Sequence, residues 1–185
     1  MSATAVPNRH GSAVITLPSD TQYLVTRLFD APAALVFKAY TTPELVKRWW
    51  GFETAEWLVC EIDLRVGGRW RFVVRDQVME VGFHGEYLEI DAPRRLVNTE
   101  TYEGVPEAKP GEISPEEWAA LGEWAGQGDA PVLDMTLDEV DGVTTMKLLA
   151  THTSRELRDA ILESGMESGM QVSYDRLEDL VRQAA

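Results

Sequence analysis

The sequence predicts an α+β fold, a curved antiparallel sheet wrapped around one long C-terminal helix. Three observations carry this expectation. Apolar and polar residues alternate over residues 69–75 and again over 80–87, as half-buried antiparallel strands require. Asp141-Gly142 separates two further alternating runs and is a strong two-residue hairpin signal. From Ser154 to Val181 the pattern turns helical: at about 100° per residue, Leu162, Met166, Gly169, Met170, Ser173, Leu177, Leu180 and Val181 share one face. Glu163, Glu167, Gln171, Asp175, Glu178 and Arg182 share the other.

Taken in chain order, residues 1–11 read as a flexible tail and residues 12–185 as a single domain. Residues 13–17 and 22–29 read as strands around Pro18-Ser19-Asp20. Asp30-Ala31-Pro32 predicts a helix start, an N-cap acid followed by proline in the first turn, and a helix over 33–40. Thr42-Pro43-Glu44 restarts a second short helix through Trp49, which Gly51 ends. Trp49 and Trp50 are adjacent and so point in different directions. One should close the core, and the other suits a cavity mouth.

The hairpins can be put in register. With Gln77-Val78 as the turn, Trp70 faces Gly85, Phe72 faces Phe83 and Val74 faces Val81. Arg75 then meets Glu80, and Arg69 meets Glu86, on the other face. Apolar pairs on one side and opposite charges on the other support this register. His84 and Glu86, beside Arg69 and Arg71, then belong to a solvated face. Asp91-Ala92-Pro93-Arg94 turns the chain into a strand over 95–102. The Asp141-Gly142 turn pairs Met135 with Leu148, Leu137 with Met146 and Thr136 with Lys147. Thr153 or Ser154 caps the long helix.

Residues 104–131 form an insertion rich in Pro, Gly and Glu that nevertheless holds Trp118 and Trp124. Ser114-Pro115-Glu116-Glu117 predicts a short helix over 115–125, suited to a lid or an oligomer contact. Gly165 and Gly169 cost roughly 1 kcal/mol each relative to alanine inside a helix. They predict either a close backbone approach or free space beside Met166 and Met170, whose side chains are adaptable gap-fillers.

Composition bounds the function. The chain has 185 residues and a formal charge of −14, from 31 acidic and 17 basic side chains. An acidic chain lacks the basic footprint that nucleic acid and anionic membranes require. Cys60 is the single cysteine, so no internal disulfide and no cysteine metal cluster can form, and a reducing cytoplasm is the expected setting. Its place in an apolar strand reads as an inert thiol. The three histidines have no metal-ligand spacing, no Gly-x-Ser-x-Gly elbow occurs, and Gly67-Gly68 reads as a turn, so neither metal nor cofactor is expected.

Several stretches together resemble a known family. They are Arg27-Leu28-Phe29-Asp30-Ala31-Pro32, Glu44-Leu45-Val46-Lys47-Arg48-Trp49-Trp50-Gly51 and Gly67-Gly68-Arg69-Trp70. Phe83-His84-Gly85-Glu86-Tyr87, the Asp141-Gly142 turn and residues 164–170 complete the set. The chain resembles the SRPBCC superfamily, also called START or Bet v1-like, and within it the branch named for the C-terminal domain of the activator of Hsp90 ATPase. The resemblance implies a helix-grip fold with a hydrophobic cavity between sheet and C-terminal helix. It also implies binding of lipids, polyketides or other apolar molecules. Nothing before Thr21 matches the separate Hsp90-stimulating domain of the eukaryotic co-chaperone, so Hsp90 activation is not expected.

The registers also nominate a polar cluster. If Phe83, Gly85 and Tyr87 face inward, Tyr102, Glu100 and Asn98 lie opposite them, and His152 ends the inward row Met146, Leu148, Ala150. A few polar groups converging in an apolar interior make a small-molecule site. The candidate ligand-binding residues are Trp50, Trp70, Phe72, Phe83, Tyr87, Asn98, Glu100, Tyr102, Trp118, Met135, Met146, His152, Met166 and Met170. Glu100, His152 and Asn98 are the candidates for acid–base catalysis, since a buried Glu has a raised pKa. Three readings follow. The first is non-catalytic binding of a small hydrophobic or aromatic molecule. The second is an enzyme of the cyclase, aromatase or dehydratase kind. The third is a protein-interaction module or homodimer using the Trp118 helix.

Overall fold

The computed structural model describes residues 9–51, 54–75, 80–103 and 130–185. Strands β1 (Val14–Ser19) and β2 (Gln22–Phe29) lead into helices α1 (Ala33–Thr41) and α2 (Pro43–Trp49). Strands β3 (Glu56–Ile62), β4 (Arg69–Arg75), β5 (Glu80–Asp91), β6 (Arg95–Thr99), β7 (Thr101–Glu103), β8 (Val132–Val140) and β9 (Val143–Thr151) follow. Helices α3 (Arg155–Glu163) and α4 (Met166–Arg182) end the chain. This is the expected α+β helix-grip fold. The curved antiparallel sheet has the order β1-β2-β9-β8-β6-β5-β4-β3, with β7 beside β5. Helices α1 and α2 pack against α4 over its inner face.

The hairpin registers are those that the alternation predicts. Trp70 pairs with Gly85, Phe72 with Phe83, Val74 with Val81 and Arg75 with Glu80. Met135 pairs with Leu148 and Leu137 with Met146. Asp141 and Gly142 both have positive φ, 51° and 76°, as a tight hairpin turn of this kind demands. Rows of inward side chains cross several strands. One row runs Tyr23, Ala150, Leu133, Asn98, Tyr87. The next runs Val25, Leu148, Met135, Leu96, Ile90. Burying each large apolar side chain of these rows contributes about 1.5–3 kcal/mol. The expected pairing of Glu100 within one unbroken strand over 95–102 is interrupted, because β6 ends at Thr99 and β7 begins at Thr101. A bulge between Tyr87 and Glu89 bends β5 at the same level. Gly85 is required there: a Cβ on it would overlap the Thr99 carbonyl and press on Trp70 Nε1 at 2.7 Å.

Three local expectations are corrected. Asp30 does not cap α1. Pro32 is the N-cap, and the Ala33 N–H instead donates to Glu139 Oε2 of β8 at 2.9 Å. Asp30 is paired with Arg9 at 2.7 Å. The C-terminal helix is not continuous from Ser154: Ser154 caps α3 by accepting from Leu157 N–H, and the chain turns at Ser164-Gly165 before α4. Gly165 has φ +81°, a left-handed conformation that glycine adopts without strain. Neither Gly165 nor Gly169 lies at a close backbone approach, since a Cβ on either would meet nothing within 4 Å. Finally, Glu178, expected on the polar face, is fully buried. It faces the Asp30 N–H, with Arg182 at 3.8 Å.

The reason for Glu178 lies in β2. Arg27 points inward with Tyr23, Val25 and Phe29 and is 1% exposed. It donates to Asp175 of α4 at 3.0 Å and to Ser12 at 2.9 Å. Gln171, one turn earlier, holds both the N–H and the C=O of Ala13, at 3.1 and 2.7 Å. Asp175 also accepts from Gly11 N–H. Arg9–Gly11, the end of the expected tail, are therefore tied to α4 and Asp30, while residues 1–8 lie outside the described part.

Candidate functional site

The candidate residues fall into two groups on the inner face. The first is aromatic. Trp49 is buried, with its Nε1–H on the Ala39 carbonyl at 3.0 Å, while Trp50 is half-buried. Trp50 meets Trp57, Phe72 and Phe83 with ring centroids 5.5–5.6 Å apart. Trp70 continues the cluster against Phe72 at 4.9 Å, and Phe83 stands edge-on to Tyr102 at 5.4 Å. Edge-to-face contacts at these distances favour aromatic packing beyond area burial. Trp49 thus closes the core, as the sequence suggests, while Trp50 packs on rings of β3, β4 and β5. Cys60, beneath this cluster, is half-buried rather than fully buried. Burial pushes its thiol up to about 11, so it is not a thiolate at neutral pH.

The second group surrounds Glu100. The Glu100 N–H donates to the Pro131 carbonyl at 3.0 Å, which continues the β6–β8 register past the strand end. The His152 N–H donates to the Thr21 carbonyl at 2.9 Å and so continues β9 along β2. Glu100 and His152 therefore occupy the same end and the same face of the sheet, with β8 between them. Neighbouring strands lie about 4.8 Å apart, which puts the two backbones about 10 Å from each other. Tyr23 of β2 joins them, its ring centroid 5.6 Å from that of His152. Met146, on the same inner face, accepts a contact from the Tyr40 hydroxyl at 3.2 Å, and the Tyr40 phenol is electrostatically coupled to Tyr174 of α4.

Electrostatics separate the members of this group. Burial pushes the Glu100 carboxyl up to about 7, and among the described residues no hydrogen bond or cation offsets it. Glu100 lies deep in the fold, yet part of its surface borders open space. Its charge is felt by Tyr23, Tyr40 and Tyr174, whose phenols burial already raises, that of Tyr174 up to about 12. His152 is held below its ordinary value by burial and then by Arg158, so its ring is neutral at neutral pH. Its Nε2 is buried without a hydrogen-bond partner, as is Trp70 Nε1. Asn98 is inward, opposite Tyr87, but its Nδ2 is engaged by the Thr99 carbonyl at 3.0 Å.

Met135 and Met146 are fully buried on the sheet, and Met166 and Met170 are half-buried on α4. Trp118 and the expected insertion helix lie outside the described residues. A hollow of about 290 Å³ is lined by Leu35, Lys38, Ala39, Leu45, Arg48, Leu180, Val181, Gln183 and Ala184. It lies among α1, α2 and the end of α4 and contains none of the candidate ligand residues. Tyr23, Tyr40 and Tyr174 were not among the expected site residues. Tyr23 was legible, because β2 alternates Tyr23, Val25, Arg27, Phe29; Tyr40 and Tyr174 join it only through helix packing.

The family described as Activator of Hsp90 ATPase homolog 1-like protein matches residues 30–182. The chain belongs to this family. No curated protein matches at a significant level. Among solved structures, a Rhodobacter sphaeroides protein is similar at 21% identity and TM-score 0.74, over 94% of this chain and 99% of its own. A Mycobacterium smegmatis protein is similar at 19% identity and TM-score 0.72, over 91% and 96% of the two chains. A Nitrosomonas europaea protein is similar at 22% identity and TM-score 0.69, over 92% and 99%. At these identities the likeness is one of fold. Members of the Activator of Hsp90 ATPase homolog 1-like family share a ligand-binding type of scaffold, and what this member binds has to be argued from its own side chains. Among its described residues no group of three His, Cys, Asp or Glu is placed to hold a metal, and no helix is long and apolar enough to cross a membrane.

Proposed function

We propose that this protein binds a small hydrophobic or aromatic molecule between the inner face of the sheet and the C-terminal helix, without transforming it. The observation that carries the reading is Glu100. A carboxyl set deep among apolar and aromatic side chains, unpartnered by any described residue and bordering open space, is costly to the fold alone. A ligand that fills the space and contacts the carboxyl offsets that cost. The rings beside it and the methionines of β8, β9 and α4 supply an apolar, adaptable lining.

Native mass spectrometry of the freshly purified protein, with and without excess 1-naphthol, tests this. The expected result is an added mass, either co-purified or 1-naphthol, that is lost on denaturation. A bare polypeptide mass under both conditions would refute it. A second reading has one specific observation behind it. A carboxyl that titrates near neutrality is suited to general acid–base chemistry on a bound molecule. In that case Glu100→Gln abolishes turnover and leaves binding largely intact.

A further inference from the structure

Among the described residues, the buried charges Arg27, Arg158 and Glu178 all have partners. Arg27 is held by Asp175 and Ser12. Arg158, 3% exposed, is held by Asp159 at 2.7 Å and by the carbonyls of Ser19 and Gln22. Glu178 has the Asp30 N–H and Arg182. Glu100 has neither a cation nor a donor among the described residues. Two strands away on the same face, the buried His152 Nε2 also lacks a partner. In a neutral imidazole protonated at Nδ1, that nitrogen is an acceptor. An unpartnered carboxylate at one end of an aromatic interior suits a donor that carries positive charge.

We propose that the ligand is an amphiphilic amine, its ammonium seated against the Glu100 carboxylate and its apolar body along the inner face of the sheet. This rests on the reading of that face as a ligand seat. An ammonium donates several N–H bonds, and a carboxylate is the acceptor that pairs most strongly with it. The rings of Tyr23 and Tyr174 add a favourable electrostatic surface for a cation. A metal ion is a poor alternative, because the described residues place no set of three ligating side chains together.

The seat also dictates the direction of pH dependence. The titratable groups that feel the Glu100 charge are Tyr23 from β2, Tyr40 from α1 and Tyr174 from α4, with His152 at the same end of the sheet. The phenols stay protonated and the imidazole stays neutral through the neutral range, so Glu100 is the member that titrates there. Binding of an ammonium favours the ionised carboxylate. Affinity therefore rises with pH through the titration of Glu100 and then levels off, and binding at neutral pH releases a proton.

The test uses calorimetric titration of the full chain with 2-(1-naphthyl)ethylamine and with its neutral counterpart 2-(1-naphthyl)ethanol. Both are run at about pH 6 and about pH 8, on the native protein and on Glu100→Gln. The expected result is an amine preference of about tenfold or more at the higher pH, shrinking at the lower one. Glu100→Gln should lose that preference, and a cooperative thermal melt like that of the native protein reports that the variant is folded. A general attraction of cations to the acidic chain would survive the loss of one carboxylate among 31 acidic residues, so a preference retained by the variant overturns the proposal. Equal binding of amine and alcohol by the native protein overturns it as well, while leaving the apolar seat intact. Binding of neither probe removes both.

Discussion

Glu100 shows how one residue couples the interior to pH. Its carboxyl moves from an ordinary 4.5 to about 7 because burial disfavours the charged form. The folded chain then holds this proton more tightly than the unfolded chain does. The residue's contribution to stability is greatest below the unfolded value and falls as pH rises to the folded one. The loss across that window is on the order of 3 kcal/mol. Denaturant unfolding of the native protein and of Glu100→Gln at about pH 5 and about pH 8 measures it. The variant should gain relative stability at the higher pH and little at the lower. An equal difference at both pH values would mean that Glu100 titrates normally. Arg27 poses the same problem of a buried charge and solves it differently, with Asp175 and Ser12 as built-in partners. The contrast between these two residues is the main reason for assigning a binding role to one and a structural role to the other.

At the scale of elements, the C-terminal segment divides its work. The turn at Ser164-Gly165 separates α3, which anchors β2 through Arg158, from α4, which covers the sheet. Gln171 and Asp175, one turn apart, fasten the chain before β1 to the same helix. Gly169 is different: it is exposed in the helix and surrounded by open space. Gly169→Ala should therefore stabilise the protein by about 0.5–1 kcal/mol, the helix-propensity difference. A thermal melt checks it, and an unchanged or lower Tm would mean that the glycine serves the motion or packing of α4.

The same segment marks where the sequence stops being legible. The β4–β5 and β8–β9 registers could be read because both faces of each hairpin had to agree, and Asp141-Gly142 admits few other turns. The break before α4 could not, because a glycine inside a periodic run is compatible with both a helix interior and a left-handed turn. Burial of Glu178 and capping of α1 by Glu139 depend on partners 148 and 106 residues away, which no local pattern encodes. For the site, alternation found Glu100, Asn98 and His152 on the inner face. The phenols of Tyr40 and Tyr174 reach it only because helices fold over the sheet.

For the whole molecule, the fold and the family set the scaffold, and the inner face supplies what is particular to this chain. Surface acidity, with a formal charge of −14, and a Glu100 carboxylate without a partner among the described residues both favour cationic or neutral apolar ligands over anions. A ligand on the inner face would be reported by Met135, Met146, Met166 and Met170, four of the six methionines. The decisive measurement is a ¹H–¹³C spectrum of methyl-labelled methionine during titration with 1-naphthol. Met135 and Met146 on the sheet and Met166 and Met170 on α4 should shift together and saturably. A saturating titration that leaves Met135 and Met146 unmoved would contradict a ligand seat on the inner face of the sheet.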